Sequence, residues 1–368
     1  MTYGNVNVDT VTTSTPNGIL GAGDASIMKN RIINGAMVIS QRGTGSTTVA
    51  SSGYYSCDMW NVSISQASKV SIQQNAGSVT PPVGFKNYVG ITTVSSYTPS
   101  AGDYGTLRTF VEGYNAADLA WGTASAKTVT LSFQVYSSLT GTFGGALQNN
   151  AGNRSYPFTF SIPVANTWTS ISITIAGDTT GTWATDNSRG IEVDFNLGNG
   201  SSNSGTAGSW QAAGYYSATG SVNMVATASS TFYLTAVQLE VGSSATGFEY
   251  VNYQTSLANC QRYYARLQGT TTYSGFGAGA WFSTTQCNIY IKYPQTMRTS
   301  PTVGYGGTVS CMINGGTQVN ISGTGTAFIG SDSCMIQPSG LSGATTGQGT
   351  TMSANNDSTA YIFFSAEL

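Results

Sequence analysis

The sequence contains no histidine, and charged residues make up only 8% of its 368 positions. Without histidine, the chain lacks the commonest general base, the Ser-His-Asp and Cys-His arrangements and the commonest metal ligand. No GxGxxG motif opens a helix and no Walker motif is present, so the sequence gives no indication of nucleotide binding. We therefore expect a protein that is not an enzyme and has no cofactor. No dense acidic cluster predicts a calcium site.

Basic blocks and long apolar runs are also missing. The formal net charge is −2, so we do not expect nucleic-acid binding through phosphate neutralisation. No apolar run approaches the roughly 20 residues that cross a bilayer, and membrane insertion is not expected. The first residues, MTYGNVNVDTVTTSTPNG, lack the charged start and apolar core of a signal peptide. The protein is expected to be made in a cytoplasm and not exported by a standard signal.

Cysteine is scarce, and no two cysteines form a CxxC pair. The odd count and the wide spacing favour small buried apolar residues over a disulfide framework or a metal site. The five positions are Cys57, Cys260, Cys287, Cys311 and Cys334.

Glycine and β-forming residues dominate what is present. Gly accounts for 46 residues, and short runs of Val, Ile, Tyr, Phe and Thr are broken by Gly, Asn and Ser. This composition predicts an all-β protein with many turns. A hydrophobic content of 40% argues against disorder. The length predicts two or three domains.

Strict alternation of apolar and polar residues predicts half-buried antiparallel strands between about residues 31 and 252. In TVTLSFQVYSS, for example, Val129, Leu131, Phe133 and Val135 alternate with a polar set ending at Tyr136. The intervals 141–156 and 198–219 are interpreted as long connections, which favours a jelly roll over a meander. Other alternating segments are WNVSIS, KVSIQQ, SISITIAG, IEVDFNLG and STFYLTAVQLEVG.

A second β region is predicted from residue 253 to residue 368. It opens with a helix-like run capped by Ser256, with Tyr264 and Leu267 at helical spacing and an end at Gly269. Strands then resume, and the last one, AYIFFSAEL, is apolar on both faces. We expect that strand to be buried on both faces, with another subunit as one possible cover.

Glu192 and Asp194 form the closest pair of acidic residues, in RGIEVDFNLG. Residues two apart on a strand share a face, so both carboxylates could serve glycoside hydrolysis. The competing interpretation is a solvated strand face opposite Ile191, Val193 and Phe195.

Several segments resemble bacteriophage tail-fibre and receptor-binding proteins. GAGDASIMKNRIINGAMVISQRG is similar to the segment that opens a jelly-roll domain in that family, and YSCDMW is similar to the Asp-Arg-Trp turn that follows. Met59 stands where the family has arginine, so the role of that arginine does not carry over. The resemblance extends through NTWTSISITIAGDTTGTWATDNSRGIEVDF and FYLTAVQLEVGSSATGFEYVNYQTSLANCQRYY to the C-terminal ANNDSTAYIFFSAEL.

The resemblance implies a homotrimeric tail fibre of the virion, whose jelly roll is similar to carbohydrate-binding modules. Residues 1–30 would be an extended segment that docks on a tail adaptor or baseplate protein. Residues 31–252 would form the jelly roll, and residues 253–368 a C-terminal β-sandwich that binds a host surface polysaccharide or lipopolysaccharide. Lys29, Arg31 and Arg42 either pair with acids of the adaptor or are solvated ends of a first strand.

Candidate ligand contacts are glycine-flanked aromatic residues of the C-terminal domain: Tyr273, Phe276, Trp281 and Tyr305. Aromatic faces can stack on the C–H groups of sugars. The alternative for each residue is a place in the core or in an intersubunit contact. For the whole chain, the alternatives are a capsid-attached fibre or decoration protein, and a polysaccharide depolymerase of the tailspike type.

Overall fold

The computed structural model describes residues 28–368. Most of the docking segment predicted at residues 1–30 lies outside the described residues. The described chain is all-β apart from one α-helix and several short 3-10 turns, as the composition predicts.

The strands of the first half, in chain order, are β1 (Thr47–Thr48), β2 (Tyr54–Tyr55), β3 (Asn61–Ile64), β4 (Val70–Gln74), β5 (Val89–Thr93), β6 (Gly105–Glu112), β7 (Val129–Ser137), β8 (Gly141–Gln148), β9 (Ser155–Ile162), β10 (Thr169–Ile175), β11 (Arg189–Asn196), β12 (Ser204–Gly205), β13 (Ser217–Ala218) and β14 (Thr231–Val241). The interval 141–156, interpreted from the sequence as a long connection, is therefore mostly strand.

Two six-stranded antiparallel sheets form the first sandwich. One has the order β1-β4-β5-β14-β7-β10, and the other has the order β2-β3-β6-β11-β8-β9. Their inner faces share one hydrophobic core. Phe133 of the first sheet meets Phe195 of the second edge to face, with ring centroids 5.0 Å apart. The β-sandwich of the jelly-roll type predicted from the alternating pattern is confirmed.

The segment NRIING, predicted to begin the first strand, forms turns instead. It packs against an irregularity in β14 between Thr235 and Gln238. There the Val237 N–H donates to Gly35 O at 3.0 Å, and Asn30 Nδ2 donates to Val237 O at 3.0 Å. A Cβ at Gly35 would lie 2.1 Å from Val237 O. Glycine is required here because the two backbones approach too closely for any side chain.

The basic residues around this segment have partners within the chain. Arg31 is buried and binds Asp118 through two hydrogen bonds of 2.6 and 2.8 Å. Arg42 binds Glu367 at 2.7 Å. Lys29 donates to the carbonyl oxygen of Gly247 at 2.6 Å. The interpretation as solvated ends of a first strand does not fit, since none of the three cations flanks a strand. The pairing with acids of an adaptor stays a prediction.

Helix α1 (Tyr253–Gln261) begins and ends earlier than predicted. Asn252 caps it, because its side chain accepts from the Thr255 N–H at 2.9 Å, and Ser256 lies inside the helix. Tyr264 and Leu267, assigned to the helix from their spacing, belong to the following strand. No helix in the described residues is long and apolar enough to cross a bilayer.

The remaining strands are β15 (Tyr264–Gln268), β16 (Gly275–Trp281), β17 (Cys287–Lys292), β18 (Thr302–Gly306), β19 (Val309–Ile313), β20 (Thr317–Asn320), β21 (Gly323–Ile329), β22 (Ser333–Ser339), β23 (Gly349–Ala354) and β24 (Tyr361–Ser365). They form a three-stranded sheet, β15-β24-β18, and a seven-stranded sheet, β20-β19-β23-β16-β17-β22-β21, around a second hydrophobic core.

Strand β24 has a buried face and a half-buried one. Ile362 and Phe364 are fully buried, whereas Tyr361 and Phe363 are half-buried. Residues of the same chain cover this second face: Arg266 lies 3.5 Å from the Tyr361 ring centroid, and Tyr264 stacks on Phe363 at 5.9 Å. Burial of both faces, predicted from the apolar pattern, is thus largely achieved within one chain.

The five cysteines are free and buried, which confirms their interpretation as small apolar residues.

The two cores meet where α1 leads into β15. Glu112, at the end of β6, accepts hydrogen bonds from Arg262 Nε at 2.8 Å and Nη2 at 2.5 Å. The Tyr263 hydroxyl donates to the same carboxylate at 2.5 Å. Arg298 donates to the carbonyl oxygens of Asn187 at 2.9 Å and Glu367 at 2.7 Å. Charge-assisted hydrogen bonds therefore join the two parts of the chain.

The Glu112→Ala variant tests this junction. It leaves the Arg262 guanidinium and the buried Tyr263 hydroxyl without their shared acceptor, so the free energy of unfolding should fall by about 3 kcal/mol. Urea denaturation followed by tryptophan fluorescence measures the change. Asp186→Ala is the control, since Asp186 accepts only a local bond from Ser188 and should cost less than about 1 kcal/mol. Equal losses in the two variants would contradict the assigned role of Glu112.

Candidate functional site

A groove on the outer face of the first sheet combines an aromatic wall with a polar floor. Its volume is about 380 Å³. The residues that line it are Phe85, Ser132, Phe133, Gln134, Ser170, Ile171, Ser172, Ala236, Ala245, Thr246, Phe248 and Tyr250.

Alternation along two neighbouring strands places the polar groups on the floor. In β7, Phe133 points into the core, so Ser132 and Gln134 point outward. In β10, Ser170 and Ser172 are exposed and lie opposite Gln134 and Ser132 in the antiparallel register. Gln134 Nε2 donates to Ser170 Oγ at 2.7 Å. The floor thus offers hydroxyl and amide groups that can donate or accept hydrogen bonds.

Three aromatic rings form the wall. Phe85 stacks on Tyr250 with centroids 5.5 Å apart, and Phe248 meets both rings edge to face at 5.1 Å. Tyr250 is 63% exposed. Gly84, at φ 91°, lets the Tyr250 hydroxyl approach, since a Cβ there would lie 2.7 Å from it. The wall therefore presents aromatic surface next to hydrogen-bonding groups.

Buried polar residues of β14 hold the loop that carries the wall. Glu240 accepts from the Thr246 N–H at 2.8 Å and from Thr246 Oγ1 at 2.6 Å. Gln238 accepts from the Glu249 N–H at 2.8 Å. Both β14 side chains are fully buried. Because the loop is fixed before a ligand arrives, binding costs less ordering entropy.

The aromatic surface continues along the same sheet. Tyr136 follows Gln134 on the outer face of β7 and stacks on Tyr233 with centroids 5.3 Å apart and planes 7° apart. Trp168 lies 5.5 Å from Tyr136. Since each pair of strand residues advances about 7 Å, the surface from Ser132 to Tyr136 extends about 13 Å. A ligand several rings long could lie along it.

A larger cavity of about 550 Å³ adjoins Met28. Its charged lining residues already have partners, because Arg31 binds Asp118 and Arg262 binds Glu112. The groove is therefore the better candidate for a ligand site.

The aromatic residues predicted from the sequence lie elsewhere and do not converge. Trp281 is only 1% exposed and donates from Nε1 to Met312 O at 3.1 Å. Phe276 is also in the second core, Tyr305 is half-buried in β18, and Tyr273 is 58% exposed in a turn. The neighbouring glycines of β16 are strand residues under close packing, with a Cβ at Gly279 1.7 Å from Asn288 O. Glycine-flanked aromatics here mark tight packing, so a face for stacking remains only at Tyr273 and, in part, Tyr305.

Sequence reasoning missed the groove. The outward alternation of Ser132, Gln134 and Tyr136 was visible, but the wall comes from two segments more than 150 residues apart in the sequence. A signal was present in PPVGFK and ATGFEY, which place Phe85 and Phe248 directly after glycine, with Tyr250 two residues further on, outside the alternating pattern.

Glu192 and Asp194 are buried, which corrects the interpretation as a solvated face. Strand β11 is central in the second sheet, and Asp194 is 0% exposed. Residues 217–221 lie over the neighbouring strand β8, since a Cβ at Gly144 would approach Ser221 Oγ at 2.1 Å. A half-exposed sheet was assumed, but this segment covers its outer face.

The two carboxylates have different partners. Glu192 pairs with Arg108 at 2.9 Å and also with Arg189. Asp194 accepts from Gln148 Nε2 at 3.0 Å through one oxygen, while its other oxygen has no partner. Burial and the neighbouring charge of Glu192 raise the pKa of Asp194 well above its ordinary value. No cluster of three or more metal-ligating side chains occurs between residues 28 and 368.

No family model matches the sequence, and a search of curated proteins finds no match. Among solved structures, a putative sugar binding protein from Bacteroides thetaiotaomicron is similar to 58% of this chain over 100% of its own length, with 10% identity and a TM-score of 0.31. A family 11 carbohydrate-binding module from Clostridium thermocellum aligns with 56% of this chain over 99% of its length, with 14% identity and a TM-score of 0.27.

The enzymatically active domain of tailspike protein 4 from bacteriophage CBA120 is similar to 50% of this chain, with 11% identity and a TM-score of 0.29. The match spans about a fifth of that tailspike chain. All three TM-scores lie below 0.5, so these likenesses carry no inference about ligand or activity.

The Asp194→Asn variant tests the burial of that carboxylate. A raised pKa means that the folded state binds the Asp194 proton more tightly than the unfolded state does, so stability falls as pH rises through the folded pKa. The variant should be more stable than the wild type at neutral pH and less dependent on pH. Urea denaturation at several pH values between about 4 and 8 measures both effects, because this range starts near the ordinary pKa of an aspartate and extends well above it. A variant less stable than the wild type at neutral pH would show that the Asp194 charge stabilises the fold.

Proposed function

We propose that this chain is a non-catalytic, glycan-binding fibre protein of a bacteriophage virion. The observation that carries the glycan-binding part is the groove, where exposed Tyr250 and its aromatic neighbours border the hydroxyl and amide groups of Ser132, Gln134 and Ser170. A sugar ring has an apolar face of C–H groups and a rim of hydroxyl groups. Such a ligand matches an aromatic wall beside a polar floor.

The virion part of the proposal is supported by the sequence segments similar to phage tail fibres, NRIINGAMVISQRG above all. In this proposal the chain forms a homotrimer and attaches to a tail adaptor or baseplate protein through its N-terminal segment. The glycan would be a host surface polysaccharide or lipopolysaccharide. In this proposal the ligand site lies in the first sandwich. The variant of exposed Tyr273 tests the alternative, a site in the C-terminal region.

The proposal of a non-catalytic role is supported by the state of the two acidic candidates. Glu192 is held between two arginines, and Asp194 has no exposed surface. A carboxylate that protonates or attacks a glycosidic bond must reach the substrate. Release of reducing ends from a host polysaccharide, lost in Glu192→Gln, would instead establish a depolymerase. Immunogold labelling of particles distinguishes a tail fibre from a capsid-attached protein.

Adsorption competition with purified full-length chain tests the glycan-binding function. The wild type should bind candidate host cells and block phage attachment, while Gln134→Ala and Tyr250→Ala should each weaken binding about tenfold, the equivalent of about 1.4 kcal/mol. Tyr253→Ala is the matched control, since Tyr253 is 56% exposed but lies outside the groove.

The variant Tyr273→Ala completes this experiment. If it abolishes binding while the groove variants bind like the wild type, the site belongs to the C-terminal region. If no variant changes binding, or the wild type binds no cells, the groove is not the receptor site.

A further inference from the structure

We propose that the groove selects an uncharged glycan and discriminates against acidic sugars. This inference rests on the proposed glycan-binding function and deepens it. It follows from the absence of ionic groups among the residues that line the groove and from the way the nearby charges are used.

Among residues 28–368, those that line the groove include no lysine, arginine, aspartate or glutamate. Its polar atoms are hydroxyls and one carboxamide, which bind sugar hydroxyls as donors or acceptors. A uronic acid or phosphate placed against this surface would lose water without gaining a cation. Burying such a charge without a partner is unfavourable, so acidic units should bind weakly.

Three of the four charged residues near the wall are bound within the chain, and the fourth, Lys86, lies outside the lining. Both carboxylate oxygens of Glu240 accept hydrogen bonds, from Thr246 and Gln238. Glu249 accepts a hydrogen bond from the Asn30 N–H at 2.6 Å. On the cationic side, Lys29 donates to Gly247 O at 2.6 Å, and Lys86 is exposed outside the lining. Two carboxylates and two ammonium groups leave this part of the surface with no net charge.

Arginine, which binds carboxylate and phosphate through two parallel hydrogen bonds, is committed elsewhere. Six of the eight arginines form ion pairs with carboxylates of the chain. Arg266 and Arg298 donate to backbone carbonyls, the former to Gln41 O at 3.1 Å. Each arginine therefore already has a partner within the chain, and none lines the groove to bind an anionic ligand.

Affinity electrophoresis of the full-length chain tests this selectivity. The chain is run through gels that contain neutral polysaccharides (dextran, galactomannan, xylan) or acidic ones (polygalacturonate, alginate, hyaluronan). We expect retardation in at least one neutral gel, a less than about twofold change in affinity between about 50 and 500 mM NaCl, and no retardation in the acidic gels.

Three variants sharpen the experiment. Gln134→Ala should weaken the affinity in the neutral gel about tenfold, the equivalent of about 1.4 kcal/mol, and Lys86→Ala, the matched control, should leave it unchanged. Ser172→Lys places a cation in the groove and should introduce retardation in an acidic gel that declines with salt.

The outcomes separate the two proposals. Retardation only in acidic gels, weakened by salt, overturns the neutral selectivity while the glycan-binding function stands. Retardation in no gel also overturns the selectivity, and the adsorption experiment then decides the function by itself. Retardation in a neutral gel that is insensitive to Gln134→Ala overturns the assignment of both function and selectivity to the groove.

Discussion

The pairing of arginines with buried carboxylates is the interaction on which this structure depends. In a chain with so few charges, most cations are used inside the molecule. Arg154 holds buried Asp178 through two hydrogen bonds of 2.9 and 2.5 Å, and Arg262 holds Glu112 at the junction of the two cores. Arginine suits this role because its planar fork satisfies both oxygens of a carboxylate and loses less hydration than an ammonium group would. Where the carboxylate is buried, removing the arginine leaves an uncompensated buried charge, so losing such a pair is expected to be strongly destabilising.

This use of charge gives the two outer faces of the first sandwich different characters. The second sheet carries Arg108, Glu192 and Asp194 on its outer side, but residues 217–221 cover the strand beside them. On the first sheet the groove remains open and is lined by uncharged residues, while Glu240 of β14 is buried beneath the loop that carries the aromatic wall. The ionic groups of both faces are thus covered, and the open groove is lined by uncharged side chains. A binding function that relies on stacking and hydroxyl recognition is consistent with this distribution.

The sequence predicted the class of the fold because strand alternation depends on local chemistry. The inward set of Val129, Leu131, Phe133 and Val135 in β7 was identified correctly, as was the burial of the five cysteines. The boundaries of α1 were wrong, since Tyr264 has helical spacing from Leu257 but joins a strand paired with β24. Tertiary pairing overrode a weak local pattern there.

The candidate site was harder to predict than the fold. Its wall unites Phe85 with Phe248 and Tyr250, and no local pattern joins segments so distant in the sequence. The burial of Trp281, which confirms the alternative of a place in the core, has a related cause. Glycine beside an aromatic residue is compatible with an exposed loop, but here the glycines allow neighbouring strands to pack closely. Which meaning applies is decided by neighbours that the sequence does not reveal.

The bond between Arg42 and Glu367 has a consequence for the time course of folding. The two residues are 325 positions apart in the sequence, and Leu368 packs against the core of the first sandwich. During synthesis, the first sandwich must therefore wait for residues 366–368 to leave the ribosome before this contact can close. In the complete chain Arg42 also lies 3.9 Å from Asp58. Closing so long a loop is entropically costly and slow, so the junction should be among the last contacts to form. The surface that residues 366–368 later cover would be exposed on the nascent chain. A chaperone or a sister chain could bind it before those residues do.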